Sequence, residues 1–319
     1  MSLLRHVLQF RNVNLKIIDR QARKTVRLLL AGPSADALLR ALDPNGEARP
    51  GVLAYVDAGF SVEDAAVAAI VYAGPVGCAS GGMSAFGRRN KPLFIVEHPA
   101  SGRETAAPTT AAPPVPPARS RPATYPVAGL ELAELRKHLL PDIVHVCEPV
   151  AVALASAVPA FRSPVVVRLT QDAALKSLKL AAASAVVDHV PVFGLVLGPI
   201  ASAGDTIAIT GVQINMLLHI AAAYGKKAEF ARIIELLPVI GGGYGWRTLA
   251  RELSGFIPVA GIAVKAAIAY GGTLVIGQAA AYYYETGGAM TRDRRNAAYR
   301  DAVDRAKILF ADVAQKLKR

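Results

Sequence analysis

"TVRLLLAGPSADALLRAL", residues 25–42, passes from an unbroken apolar run through a Gly-Pro-Ser turn into an amphipathic run. The first part, "TVRLLLAG" (25–32), has the length and the Val/Leu content of a buried strand and ends in glycine. The second part, "SADALLRAL", spaces Ala and Leu as a helix does. Strand, turn and helix in that order form the repeating unit of a parallel α/β layer. Three more runs share the strand character: "GVLAYVDAG" (51–59), "AVAAIVYAG" (66–74) and "KPLFIVEHP" (91–99). Each is nearly continuous in apolar residues and ends in Gly or Pro, as strands covered on both faces do.

The character then changes. From Ala100 to Pro126 the chain is Pro, Ala, Thr, Ser and Arg, including "TTAAPPVPPARSRP". Large apolar residues are too few to offset ordering entropy, so a flexible, partly polyproline segment is expected within the α/β domain. "GLELAELRKHLLPDIV" (129–144) reads as that domain's last helix. Beyond residue 148 the strand signals fade, and helices are expected at 149–158, 164–187, 205–224, 228–237, 245–254, 259–284 and 291–318, separated by Pro or Gly. The expected fold class is α+β multidomain. A basic amphipathic helix (1–24) precedes a small α/β domain (25–145), an all-α, Ala/Gly-rich domain (146–290) and a second basic helix (291–319).

Hydrophobic residues make up 53% of the 319 and charged ones 19%, with mean hydropathy +0.34, so membrane association is a serious candidate. The net charge of +12 gathers at the ends: seven basic residues and one acid between Arg5 and Arg27, nine and four between Arg292 and Arg319. Such ends suit an anionic partner. Lipid is favoured over nucleic acid, because neither end interleaves aromatics with arginine as a base-stacking surface would. Cys78 and Cys147 make neither a disulfide framework nor a zinc site, which suits a reducing compartment. The charge-punctuated N-terminus lacks a signal-peptide core and is expected to be cytoplasmic.

Chemistry-bearing motifs are sparse. A phosphate-cradling loop after the first strand would supply a lysine and a magnesium-binding hydroxyl. The turn "AGPSAD" has neither, and leaves Gly32, Ser34 and Asp36 as weak candidates for a divergent phosphate site. After the second strand "VDAG" falls one residue short of DxxG, and "EHPASG" stands where a guanine-reading NKxD would be expected. GTP hydrolysis, and any cofactor, are therefore not expected. Histidines 6, 98, 138, 145, 189 and 219 lack the spacing of metal ligands. "GCASGGMSAFG" (77–87) offers Cys78, Ser80 and Ser84, but no GxSxG elbow and no assignable base, and is expected to be a flexible loop.

In the helical half, "AAIAYGGTLVIGQAAAYYY" (266–284) carries no charge, ends in three tyrosines like an interfacial belt, and spaces Ala267, Gly271, Gly277 and Ala281 for close helix contact. "VPVFGLVLGPIASAG" (190–204) is a second apolar stretch. In "GDTIAITGVQINMLLHIAAAYGKK" (204–227), Asp205 fits an N-cap and Gly225 a C-terminal stop. Its stripe of Thr206, Thr210 and Gln213 requires protein or water partners.

On these residues the second half resembles the bacterial domain of unknown function found in YcjF-like membrane proteins and C-terminal to Era-like GTPase domains. The matching stretches are "PIASAGD" (199–205), "QINMLLHIAAAYG" (213–225), "IIELLPVIGGGYGWR" (233–247) and "FIPVAGIAVKAAIAYGGTLVIGQAAAYYYETG" (256–287), in the family's order over roughly residues 150–290. The resemblance implies membrane association and a GTPase domain in front. The phosphate, magnesium and guanine positions depart from the GTPase pattern, so the first half is expected to be a degenerate, P-loop-like pseudo-GTPase. Together with the two charge-poor segments and the basic ends, the resemblance leads to the expectation of a non-enzymatic scaffold or oligomeric helical module on the cytoplasmic face of the bacterial inner membrane. Its partners would be anionic lipid and a second copy of the chain or a partner GTPase. The competing expectations are a soluble nucleotide-responsive switch and a self-assembling soluble scaffold.

Overall fold

The structure is a computed structural model, and describes residues 14–56, 62–86, 90–100, 123–187, 208–241 and 262–317. The chain divides into two compact units. One is made of residues in Asp19–Val165 and Ala222–Lys226, the other of the described residues in Met1–Ile18, Val166–Ala221 and Lys227–Arg319.

The first unit is the α/β layer. Its strands are β1 (Arg27–Ala31), β2 (Leu53–Tyr55), β3 (Val67–Pro75), β4 (Leu93–His98) and β5 (Ala123–Pro126). They form one parallel sheet in the order β2-β1-β3-β4-β5. Leu28, Leu29, Ile70, Val71 and Phe94 are wholly buried, as the continuous apolar runs require. The sequence also carries α1 (Leu15–Ala22), which ends just inside this unit, then α2 (Ala35–Leu42), α3 (Ala79–Phe86), α4 (Leu132–Leu135), α5 (Leu139–Val146) and α6 (Ala151–Ala157). Leu38 and Leu42 are the buried stripe of α2, while Ala79 and Phe86 of α3 cover Leu29, Ile70 and Ile95.

Three expectations are corrected here. The end of the proline-rich segment is a strand, because Tyr125 can bury its ring against Phe94 and give its hydroxyl to Asp142 at 2.8 Å. Residues 101–122 of that segment lie outside the described residues. The stretch expected as a flexible loop at 77–87 holds helix α3, whose first turn is closed by Glu97 accepting from the Gly77 and Ala79 amides at 2.9 and 3.0 Å. The helix expected at 129–144 is two helices separated at Arg136–His138.

The second unit is helical: α7 (Arg162–Val187, belonging to this unit from Val166), α8 (Ala208–Ala223, to Ala221), α9 (Phe230–Gly241), α10 (Ile262–Thr286) and α11 (Arg292–Leu317). α9 runs through Pro238, where a stop was expected. The helix expected at 245–254 lies outside the described residues. α10 is apolar on every side, which suits a helix surrounded by others, and it touches all four. Ala267, Tyr270 and Leu274 pack with Ala174 of α7 and Ala302 of α11. Tyr283 gives its hydroxyl to Glu235 of α9 at 2.9 Å, and Gln213 of α8 reaches Thr273.

Candidate functional site

Two places in the molecule gather functional side chains. The first is the edge of the sheet formed by the strand C-termini. β1 stops at Ala31, paired with Tyr72, whereas β3 and β4 run on to Pro75 paired with His98. The β1–α2 turn therefore folds over the protruding end of β3. Gly32 makes this possible: its φ is +90°, and a Cβ there would lie 2.4 Å from the Ala73 carbonyl oxygen. Gly74 does the same for the opposite turn, since a Cβ on it would meet Pro33 at 3.0 Å and the Cys78 sulfur at 3.1 Å. The order 2-1-3-4-5 puts the topological switch between β1 and β3, the place where parallel sheets open a crevice for ligands.

Ser34 stands at this edge, at the N-terminus of α2, and its hydroxyl lies 2.7 Å from Nε2 of His98 at the end of β4. The other ring nitrogen, Nδ1, is 2.8 Å from the Pro99 carbonyl. A carbonyl only accepts, so Nδ1 carries the proton in the neutral ring and Nε2 accepts from Ser34. Ser34 occupies the N-cap position of α2 without making the capping bond. That forgoes about 0.5–2 kcal/mol of helix stabilisation, and among the described residues the Asp36 and Ala37 amides meet no backbone acceptor. Asp36 accepts from the Tyr55 hydroxyl at 2.5 Å. Cys78 borders the site, and burial, with the Glu97 carboxylate nearby, pushes its thiol pKa up. The thiol is therefore held protonated, the opposite of an activated nucleophile.

Gly32, Ser34 and Asp36 are thus brought to one edge, but Gly32 and Ser34 sit in a three-residue turn between β1 and α2 and Asp36 in the first turn of α2. A Gly-rich phosphate loop is much longer and presents a lysine. His98 was not singled out from the sequence, because it meets Ser34 across 64 residues of chain. The one local hint was Gly32-Pro33-Ser34 after a strand and before a helix. This is the start of a GxSxG elbow with Asp36 in the place of its second glycine. Among the described residues no His, Cys, Asp and Glu group has a metal-binding arrangement.

The second place is the helical unit. Gln213 Nε2 donates to the Thr273 hydroxyl at 3.1 Å, and Thr273 lies 3.0 Å from the Ser177 hydroxyl and 2.8 Å from the Ala269 carbonyl. Thr273 and Ser177 are fully buried. The polar stripe of α8 thereby finds a protein partner at Gln213. Thr210 lies on the same helix, and Asp205 and Thr206 lie outside the described residues. Gly225 ends α8 with φ +74° and its amide 3.0 Å from the Ala222 carbonyl, the stop its sequence announced. Gly271 is buried, and Gly277 faces Thr170 of α7 so closely that a Cβ would lie 2.4 Å from its hydroxyl. Of the tyrosine triplet, Tyr283 is bonded to Glu235 and Tyr282 has Arg294 stacked 5.1 Å above its ring.

The contacts also orient the helices. Thr170 faces Gly277 and Ser177 faces Thr273, so α7 and α10 are antiparallel. Arg294 on Tyr282 and Ala302 beside Ala267 and Tyr270 make α10 and α11 antiparallel too. The C-terminal end of α7, the start of α10 and the C-terminal end of α11 therefore share one end of the unit. Among the described residues no single helix is long and apolar enough to cross a membrane. One bent pair, Leu139–Val146 with Glu148–Ala157, passes by length and composition at a 90° bend, and much of it is buried.

Compared with known proteins, the chain matches no family model, no curated protein and no solved structure.

Proposed function

We propose that the helical unit is a membrane-docking module that engages anionic lipid through the end shared by α7, α10 and α11. The observation that carries this reading is what the sequence attaches there. The charge-poor stretch 190–204 follows α7, "FIPVAGIAV" (256–264) leads into α10, and "KILFADVAQKLKR" (307–319) closes α11 with Lys307, Lys316, Lys318 and Arg319 against Asp312. Apolar sequence flanked by basic residues suits an interface between acyl chains and anionic headgroups. The resemblance to the YcjF-like domains supports the same reading, with the bacterial inner membrane as the surface. In this reading the unit is a scaffold, as a homo-oligomer or beside a partner GTPase, and the chain hydrolyses no GTP.

Fractionation tests it. Tagged full-length chain is expected in the membrane pellet after lysis, and carbonate washing then separates integral from peripheral attachment. Recovery wholly in the high-speed supernatant without detergent would sink the proposal. The competing nucleotide switch has less support, because the described residues of the edge around Gly32–Asp36 offer the Asp36 and Glu97 carboxylates and no phosphate-reaching lysine. Calorimetry with GTP and GDP in magnesium is expected to be flat.

A further inference from the structure

The sheet edge holds a pair that lipid docking leaves unused. We propose that Ser34 is a nucleophile activated by His98, and that the sheet edge where the two meet is an acyl-transfer site for a small, uncharged ester. This goes beyond the docking reading, is independent of it, and departs from the expectation of a non-enzymatic chain.

Four observations converge. The Ser34 hydroxyl and His98 Nε2 are 2.7 Å apart, the reach a nucleophile and its base require. The Pro99 carbonyl fixes the proton on Nδ1, which leaves Nε2 as the acceptor. Ser34 and His98 are both partly exposed, so a ligand can reach them. Finally, the hydroxyl stands on a sharp strand-to-helix turn that only glycine at position 32 permits, and that lies at the topological switch point.

Charge selects the substrate class. The described residues building this edge, Gly32–Asp36, Tyr55, Gly74–Ala79 and Glu97–Pro99, include the carboxylates Asp36 and Glu97 and neither lysine nor arginine. Among these described residues a phosphate or carboxylate ligand would meet the Asp36 and Glu97 carboxylates and no lysine or arginine, whereas a neutral ester would meet no such repulsion. In the reaction the Ser34 oxygen bonds to the acyl carbon while its proton passes to His98 Nε2. As the carbon–oxygen bond to the leaving alcohol breaks, that alcohol takes the proton. Water, giving a proton to the same nitrogen, then releases the acid and restores Ser34. The negative oxygen of the tetrahedral intermediate faces the first turn of α2, where the Asp36 and Ala37 amides meet no backbone acceptor among the described residues.

The experiment uses the full-length chain and an uncharged fluorophosphonate probe, which bonds phosphorus to the serine oxygen and expels fluoride. Peptide mass mapping is expected to place the adduct on Ser34. Labelling should vanish in Ser34→Ala, fall at least tenfold in His98→Gln and persist in Ser80→Ala, with turnover of p-nitrophenyl acetate changing in parallel. Thermal melts establish that the variants are folded. The wild-type measurement depends on no variant: native protein without an adduct on Ser34 overturns the proposal. Labelling that His98→Gln leaves unchanged in a folded chain overturns it too, because Ser34 would then be only an exposed hydroxyl.

Discussion

Thr273 shows how a polar residue becomes compatible with a buried helix. Its hydroxyl has one proton and two lone pairs. The proton goes to the Ala269 carbonyl, and the lone pairs take the proton of Ser177 and one from Gln213, so nothing on Thr273 is left over. The three helices α7, α8 and α10 are thereby tied at one point. Thr273→Val keeps the shape but leaves a buried Ser177 hydroxyl and the Gln213 amide without this partner. An unmet buried donor costs about 1–3 kcal/mol, and Thr273→Val is expected to lose that much in urea denaturation. Gln213→Leu, whose partly exposed end removes a donor and leaves Thr273 bonded to Ser177 and Ala269, should cost less. Equal stability of Thr273→Val and wild type would show that the seam is incidental.

At the level of elements, α10 and α7 are held together by the absence of a side chain. A Cβ at Gly277 would lie 2.4 Å from the Thr170 hydroxyl and 2.5 Å from its methyl group. Alanine would gain about 1 kcal/mol of helix propensity over glycine, but overpacking of this kind costs about 1–3 kcal/mol, so Gly277→Ala is expected to destabilise. The Thr170 hydroxyl is buried and finds no hydrogen-bond partner among the described residues, so trimming it sacrifices little. Thr170→Ala in combination should recover the loss, because the new methyl occupies the vacated space. A double-mutant cycle by urea denaturation checks the coupling, and strictly additive effects would remove the contact from the account. The need for such contacts was legible, since small residues spaced along an uncharged stretch serve no other purpose as well. The partner was not, because nothing local in α10 names Thr170. The same holds in the sheet. The run at 25–32 and the turn after it announce β1 and α2 through local pattern, whereas β5 depends on Phe94 and Asp142 receiving Tyr125, which lies at the end of a proline-rich stretch. His98 and Ser34 likewise belong to separate strand ends that only parallel pairing brings to one edge.

For the molecule as a whole, the question is whether charge or apolar sequence governs docking, and the two respond differently to salt. The chain carries +12, and basic residues beside an anionic leaflet contribute about 1 kcal/mol each. From Lys307 to the end the net charge is +3, four basic residues against Asp312, so this end should contribute about 3 kcal/mol, roughly a hundredfold in affinity. Screening lengths shrink from about 10 Å at 0.1 M salt to about 3 Å at 1 M. Binding to phosphatidylglycerol vesicles should therefore weaken steeply across that range, while apolar contacts persist. Lys316→Glu with Lys318→Glu changes the charge at this end from +3 to −1 (four charge units) without touching the described core. Co-sedimentation is expected to show the variant weakened on anionic vesicles by more than tenfold at low salt, and nearly level with wild type at high salt and on phosphatidylcholine. If the variant binds anionic vesicles as well as wild type at low salt, the electrostatic contact belongs elsewhere on the molecule. If neither protein retains binding at high salt, the apolar stretches flanking α7 and α10 do not enter the bilayer and attachment is electrostatic alone.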